Sequence, residues 1–152
     1  VNWVGEKDTA MINLSFFTAR LLLTERQRED REIRMKILLL ADEAIAQGAL
    51  DGGLSAVYAY PGTPSTEITE YIQKTNKEVH SRWSTNEKTA MEEAVGMSFV
   101  GKRSMVCMKH VGMNVAADAF VNSAMTGTNG GLVIVAADDP SMHSSQNEQD
   151  SP

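Results

Sequence analysis

The sequence has 152 residues, of which 42% are hydrophobic and 22% are charged, as expected for one globular domain with its own core. Its formal net charge of −6 argues against a nucleic-acid partner or an anionic membrane surface, because both require a basic face. A single cysteine, Cys107, excludes an internal disulfide and, with three scattered histidines, argues against a bound metal. We therefore expect a reducing, cytoplasmic location.

The amino-terminal part of the sequence differs in character from the rest. An apolar stretch at residues 10–23 is interrupted by Asn13 and Arg20 and is too short to span a bilayer. The mixed-charge run that follows it, TERQREDREIR, is typical of a solvated helix or a flexible arm. We expect residues 1–34 to form an extension outside the domain and residues 35–152 to form the domain.

Helix-like and strand-like segments then alternate along the chain. Helices are predicted over residues 41–50, 64–75, 86–100 and 114–125, and strands over residues 55–60, 78–84, 103–110 and 132–137. Thr63 is expected to cap the second helix, with Pro64 at its first position. Strands separated by single helices imply parallel crossovers, so the sequence predicts an α/β fold with a doubly wound, mostly parallel sheet and helices on both faces.

Three polar or glycine-bearing segments follow predicted strands. They are PGTPST at 61–66, KHVGMN at 109–114 and DDPSMHSSQNEQD at 138–150. In parallel sheets ligands bind beyond the carboxyl ends of the strands, so these segments predict the position of a site. The first can hold an anion on backbone NH groups or can be no more than a well-capped helix start. A lone histidine such as His110 can likewise be a structural hydrogen-bonding group or a catalytic one.

Glu87 opens the third predicted helix and shares a face with Ala90, Met91, Ala94 and Val95. Two interpretations remain open for its carboxylate, which is aimed toward the apolar side. A first-turn glutamate can simply be stabilised by the helix dipole. A partly buried carboxylate can instead hold a proton against a ligand nitrogen, since burial disfavours its charged form.

Four strings of the sequence together resemble one enzyme family. They are YPGTPSTE, NEK followed by GMSFVG, MKHVGMNVAAD and GLVIVAADDPSMHSSQNEQDS. They resemble the large subunit of the indolepyruvate ferredoxin oxidoreductases, which are thiamine-diphosphate-dependent 2-oxoacid:ferredoxin oxidoreductases. The resemblance covers about residues 36–152 and implies a pyrimidine-binding domain of the thiamine diphosphate-binding fold.

The resemblance implies roles for the candidate residues. Glu87 would face N1′ of the cofactor's aminopyrimidine ring, where its proton favours the imino tautomer that deprotonates C2 of the thiazolium ring. Thr63 would contact the substrate carboxylate, and Pro61 and Gly62 would shape the cofactor pocket beside it. A strand-end loop would complete the cofactor side with Lys109, His110, Gly112 and Asn114. The substrate pocket would be bordered by Asp138, Asp139 and His143.

The family needs more than this sequence contains. Mg²⁺ and the diphosphate require a second domain with a Gly-Asp-Gly motif, and [4Fe-4S] clusters require cysteine-rich motifs that one cysteine cannot supply. We expect a domain truncated at its carboxyl end, inactive alone, whose polar ending frays after Pro140. The full-length relative would decarboxylate aryl pyruvates oxidatively to aryl-acetyl-CoA, using coenzyme A. It would pass electrons to ferredoxin, bind a smaller β subunit and form an oligomer.

Two alternatives to this interpretation remain open. Another 2-oxoacid:ferredoxin oxidoreductase, or a thiamine-dependent decarboxylase, would contain a similar domain. A non-catalytic α/β interaction module would keep the fold without the activity.

Overall fold

A parallel β-sheet forms the centre of the molecule. The computed structural model describes residues 9–13, 37–143 and 145–150. Across these residues the strands are β1 (Thr9–Asn13), β2 (Ala56–Ala59), β3 (His80–Trp83), β4 (Ser104–Lys109) and β5 (Leu132–Ala137). Their order is β1-β5-β4-β2-β3, and every neighbouring pair is parallel. The predicted parallel sheet is confirmed.

Helices cover both faces of the sheet. They are α1 (Ala41–Asp51), α2 (Ser65–Thr75), α3 (Glu87–Phe99) and α4 (His110–Thr126). Side chains alternate along β2, so Val57 and Ala59 pack under α1 and α2, while Ala56 and Tyr58 pack under α3 and α4. The predicted doubly wound arrangement is therefore confirmed. None of the helices in the described ranges is long and apolar enough to cross a membrane.

The start of α2 differs from the prediction. The helix begins at Ser65, and Pro64 occupies the capping position without a side-chain capping bond. Two hydroxyl groups in the first turn form hydrogen bonds with the preceding backbone. The NH of Gly62 donates to Oγ1 of Thr66 over 2.7 Å, and Oγ of Ser65 donates to the Gly62 carbonyl over 2.6 Å. The prediction that Thr63 caps this helix is wrong, because Pro64 holds the capping position and the NH of Thr66, in the first turn, donates to the carbonyl of Gly62 over 3.2 Å.

The start of α4 also differs from the prediction. The helix begins at His110, directly after β4 ends at Lys109, so the predicted strand-end loop is wrong and Gly112 and Asn114 are helical. The resemblance had implied a loop at KHVGMN. In the structure Gly112 lies inside a helix, and its missing side chain leaves room for the side chain of Glu87.

One strand lies within the segment that the sequence assigns to an extension. β1, Thr9–Asn13, pairs in parallel with β5 at one edge of the sheet. Residues 1–8 and 14–34 lie outside the described residues. The division of the chain into an extension and a domain stays a prediction.

Candidate functional site

The carboxyl ends of the parallel strands bring the predicted site segments to one edge of the sheet. The turn between β2 and α2, the first turns of α3 and α4, and the polar segment after β5 all follow strand ends there. We call this region the carboxyl edge and define it as residues 60–66, 84–87, 109–114 and 138–150. It is the position at which ligands bind in open parallel sheets.

Glu87 is the first residue of α3, at the carboxyl edge. Asn86 caps the helix through its side-chain oxygen, which accepts from the NH of Thr89 over 2.8 Å. The predicted inward face is confirmed, since Ala90 and Met91 are fully buried in the next turn. Glu87 itself is half-buried. Within the described part of the chain, its carboxylate forms no hydrogen bond or ion pair, which leaves both oxygens available to a ligand.

The side chain of Glu87 lies directly against Gly112 of α4. A Cβ atom placed on Gly112 would lie 2.6 Å from Cγ of Glu87, 2.7 Å from its Oε1 and 2.9 Å from its Cδ. Such distances are shorter than real contacts allow, so only glycine fits here while Glu87 keeps its present rotamer. The first turns of α3 and α4 therefore meet at the predicted catalytic carboxylate.

A second close approach joins the turn after β2 to the end of β4. A Cβ atom on Gly62 would lie 3.0 Å from Cγ of Lys109 and 3.3 Å from its Cδ. The ammonium group of Lys109 donates to Oε1 of Gln146 over 3.2 Å. Lys109 thus contacts both the YPGTPST turn and the polar segment that follows β5.

The polar segment 145–150, which we call the docked segment, is tied to the first turn of α4. Nδ2 of Asn114 donates to Oε1 of Gln149 over 3.0 Å, and Nε2 of Gln149 donates to the carbonyl of His110 over 3.4 Å. The expectation that the ending frays after Pro140 is wrong for the described residues. Its polar groups find partners on α4, which composition alone could not show.

The imidazole of His110 contacts the backbone of the docked segment. The ring is fully buried, with Nδ1 3.3 Å from the carbonyl oxygen of Ala137 and Nε2 3.1 Å from that of Asn147. Both contacts are to backbone, one at the end of β5 and one in the docked segment. These contacts favour a structural role for His110 at the carboxyl edge.

The residues after β5 form a turn. The carboxylate of Asp139 accepts from the NH of His143 over 3.2 Å, and its carbonyl accepts from the NH of Met142 over 3.1 Å. The backbone of Asp139 also forms an antiparallel bridge with Gln149. Asp138 is half-buried beside it, and the side chain of His143 is exposed. Asp139 thus shapes the path of the chain toward the docked segment.

The predicted substrate-binding turn presents an available hydroxyl. Thr63 and Pro61 are exposed, and Gly62 is half-buried. No hydrogen bond joins the Thr63 hydroxyl to another group in the described ranges. Gly62 places this turn beside Lys109, and so next to α4.

Three residues at the edge were not singled out by sequence reasoning. The side chains of Gln146 and Gln149 and the carbonyl of Asn147 make the contacts that dock the ending on α4. The only local signal was a cluster of amide side chains in HSSQNEQD. Such a cluster is equally common in an exposed terminus, so its partners had to come from the fold.

An ion pair links α3 and α4 close to Glu87. Nζ of Lys88 lies 2.9 Å from Oδ2 of Asp118. The hydrogen bond between these exposed groups raises the pKa of Lys88 and lowers the pKa of Asp118. The pair adds to the contacts that fix the two helices relative to each other.

The matched relatives share one name. No protein-family model matches the chain. The chain is 54% identical over 117 residues to indolepyruvate oxidoreductase subunit IorA of Pyrococcus horikoshii and 52% identical over 121 residues to that of Archaeoglobus fulgidus, each match covering 76% of this chain. Over these residues the chain is similar to IorA subunits. It spans 18% and 19% of the length of these two relatives, or about a fifth.

Two solved structures have a similar fold. The 2-oxoglutarate:ferredoxin oxidoreductase of Magnetococcus marinus matches 68% of this chain with a TM-score of 0.60 and 25% identity, over 18% of its own chain. A protein isolated from Mycobacterium smegmatis and described as a thiamin diphosphate-dependent enzyme matches 70% with a TM-score of 0.52 and 22% identity, over 20% of its own chain. The second likeness concerns the fold alone. Together they confirm the predicted α/β class.

Proposed function

We propose that this chain is the pyrimidine-binding domain of a thiamine-diphosphate-dependent oxidoreductase for 2-oxo acids of the indolepyruvate type. The observation that carries this proposal is the half-buried Glu87 carboxylate, seated against Gly112 at the carboxyl edge without a protein partner in the described residues. Identity to IorA subunits supports the substrate class, and the likeness to a 2-oxoglutarate:ferredoxin oxidoreductase supports the reaction class.

The residues at the edge fit the aminopyrimidine half of the cofactor. When bound, thiamine diphosphate supplies the carbon nucleophile and the electron sink that decarboxylation of a 2-oxo acid requires. The carboxylate of Glu87 would share a proton with the ring nitrogen N1′, because half-burial limits competition from water. Lys109 and Asn114 would not act directly on the ring in this arrangement. They hold the docked segment beside it through Gln146 and Gln149.

The turn after β2 provides the substrate side of the proposal. The exposed hydroxyl of Thr63, with no partner in the described residues, would donate to the carboxylate of a 2-oxo acid. Pro61 and Gly62 would set the position of this hydroxyl. Asp138, Asp139 and His143 would border the substrate. Asp139 would act by shaping the turn, because its carboxylate already accepts a backbone NH.

The remaining components belong, in this proposal, to other parts of a longer protein or to its partners. No group of three or more His, Cys, Asp and Glu residues that could hold a metal occurs in the described ranges. Mg²⁺, the diphosphate and the [4Fe-4S] clusters would therefore be bound elsewhere. Coenzyme A, ferredoxin, the smaller β subunit and the subunit contacts of an oligomer are likewise assigned to the whole enzyme, which we place in the cytoplasm.

The proposal is tested by the variant Glu87→Gln in the full-length protein that carries this sequence. Exchange of the C2 hydrogen of the bound cofactor with solvent deuterium is followed by NMR after acid quench, and cofactor affinity by calorimetry. Loss of proton sharing should slow exchange by about 10²–10⁴-fold, the usual contribution of an acid–base group. Glu92→Gln is the matched control, because Glu92 is exposed on the same helix. Unchanged exchange in Glu87→Gln would refute the assignment.

A second measurement separates the substrate classes. The wild-type enzyme is supplied with indolepyruvate, pyruvate or 2-oxoglutarate, each with coenzyme A, and reduction of ferredoxin is followed spectroscopically. We expect the highest kcat/KM with indolepyruvate. A preference for pyruvate or 2-oxoglutarate would support the alternative oxidoreductases, and no cofactor binding at all would support an interaction module.

A further inference from the structure

We infer that Gly112 is a positioning residue that sets the orientation of the Glu87 carboxylate. The inference rests on the proposed function and deepens it. The gap left by the missing side chain of Gly112 is the space that Glu87 occupies, so this one glycine determines where the carboxylate oxygens lie.

The backbone of α4 does not itself require a glycine at this position. Gly112 lies in the first turn of an ordinary helix and does not adopt a positive φ. Alanine is a better helix former than glycine, so an unhindered replacement would stabilise the helix. The three heavy atoms nearest to an added Cβ all belong to Glu87, which makes this side chain the reason for the glycine.

The collision would reorient the whole Glu87 side chain. The nearest atom to an added Cβ is Cγ of Glu87, at 2.6 Å, and the carboxylate carbon follows at 2.9 Å. A clash at Cγ cannot be relieved by tipping the carboxylate alone, because Cγ moves only with rotation about the Cα–Cβ bond. The side chain would therefore adopt a different rotamer, and its oxygens would move away from their present position.

The two helices are held too firmly to move apart instead. Met91 of α3 is fully buried in the turn after Glu87, and Met113 and Ala116 of α4 are buried in the same core cluster. The exposed pair of Lys88 and Asp118 adds only a weak further link between the helices. Packed cores resist such displacement, so the flexible side chain yields first.

Gly96 offers a matched control on the helix that carries Glu87. A Cβ atom on Gly96 would meet nothing within 4 Å, so Gly96→Ala changes the same residue type in a helix without a collision. We expect Gly96→Ala to raise the Tm and to leave the orientation of Glu87 and C2 exchange as in the wild type.

The test uses the full-length protein with Gly112→Ala, Gly96→Ala and Glu87→Gln. We expect Gly112→Ala to fold, to bind thiamine diphosphate within a few-fold of the wild-type affinity, and to slow C2 exchange at least tenfold. The circular-dichroism signature of the bound pyrimidine should shift in the same variant, as a reoriented carboxylate would no longer share its proton. A crystal structure should show Glu87 in a new rotamer.

A thermal double-mutant cycle tests the contact without any cofactor. Adding Gly112→Ala to the wild type should lower the Tm, whereas adding it to Glu87→Ala should raise the Tm, because the colliding side chain is gone. An equal loss in both backgrounds, including failure of both to fold, would overturn the inference. Wild-type exchange in Gly112→Ala while Glu87→Gln is impaired would also overturn it. Wild-type exchange in Glu87→Gln would instead refute the proposed function.

Discussion

Nε2 of His110 lies 3.1 Å from the carbonyl oxygen of Asn147, which is 37 residues further along the chain. The other ring nitrogen lies 3.3 Å from the carbonyl oxygen of Ala137. One buried side chain thus contacts the end of β5 and the docked segment at once, and in its neutral form it donates to one of the two carbonyls. The arrangement explains why a polar sequence that composition would assign to a frayed terminus follows a defined path.

Replacing this histidine should release the docked segment. His110→Ala would remove both ring contacts and leave one carbonyl group without its donor, at a cost of about 1–3 kcal/mol in the free energy of unfolding. Urea unfolding measures the global effect, and hydrogen exchange of amides 145–150 should accelerate more than exchange in the sheet. His143→Ala is the control, because that ring is exposed and its removal should change stability by less than about 0.5 kcal/mol. Equal exchange in both variants would contradict this role.

Cys107 should be unreactive in the folded protein. It is fully buried in β4, and burial raises the pKa of its thiol from the ordinary 9.0 to about 12. The thiolate is the reactive form, so native protein at pH 8 should resist alkylation and denatured protein should react rapidly. Mass spectrometry after iodoacetamide treatment measures both. Rapid labelling without denaturant would contradict the buried position.

We predict that ionisation of the same thiol lowers the stability of the fold at high pH. Its pKa is higher in the folded state than in the unfolded one, so the folded state holds the proton more tightly. The contribution is fully present below pH 9.0 and is lost progressively as the pH rises toward about 12. Urea titrations of the wild type and Cys107→Ala across this range should show a steeper decline for the wild type. An equal decline in the two proteins would contradict this prediction.

The Lys88–Asp118 pair should contribute to stability in a way that depends on pH and salt. Asp118 has a lowered pKa in the folded state, so its contribution is present above the ordinary value of 3.8 and is lost as the pH falls below it. The stability difference between the wild type and Asp118→Asn should therefore vanish in acid, and it should shrink at high salt because both groups are exposed. A difference that stays constant into acid, or that does not shrink at high salt, would contradict this role.

Two glycines should respond oppositely to alanine. A Cβ atom on Gly130 would lie 2.3 Å from the carbonyl oxygen of Lys102, and backbone cannot move aside as a side chain can. Gly130→Ala should destabilise the fold by about 2–3 kcal/mol, as overpacked positions do. Gly96→Ala meets nothing within 4 Å and should stabilise α3 by about 0.5–1 kcal/mol. Thermal unfolding measures both variants, and a Tm change of the same sign in the two would contradict this prediction.

The sequence predicted the layers of the fold because they depend on local periodicity. The strand around Val106 and the inward face of α3 around Met91 are continuous hydrophobic patterns in the sequence. The same residues are buried in the structure. Asn86 likewise caps α3 as a polar residue before an apolar run should. Boundaries set by such local signals fell within one or two residues of the structure.

The parts of the site that escaped prediction depend on contacts between distant segments. Gly112 was expected in a strand-end loop by resemblance, whereas it lies in a helix and leaves room for the side chain of Glu87 on another helix. Thr63 suggested a cap, but the helix begins one residue later, and the carbonyl of Gly62 accepts from the NH of Thr66. The docking of Asn147 on His110 has no local signature. Tertiary neighbours decided each of these cases.

The two sides of the proposed site rest on separate cores. α2, which follows Thr63, packs through Ile68 and Ile72 into the core on one face of the sheet, while α3, which carries Glu87, packs into the core on the other. Substitutions that change side-chain volume in the core under α2 would shift the substrate turn. They would not alter the residues that pack under α3 and support the Glu87 carboxylate. The fold would therefore allow substrate preference to diverge among relatives while the chemistry at the cofactor stayed the same.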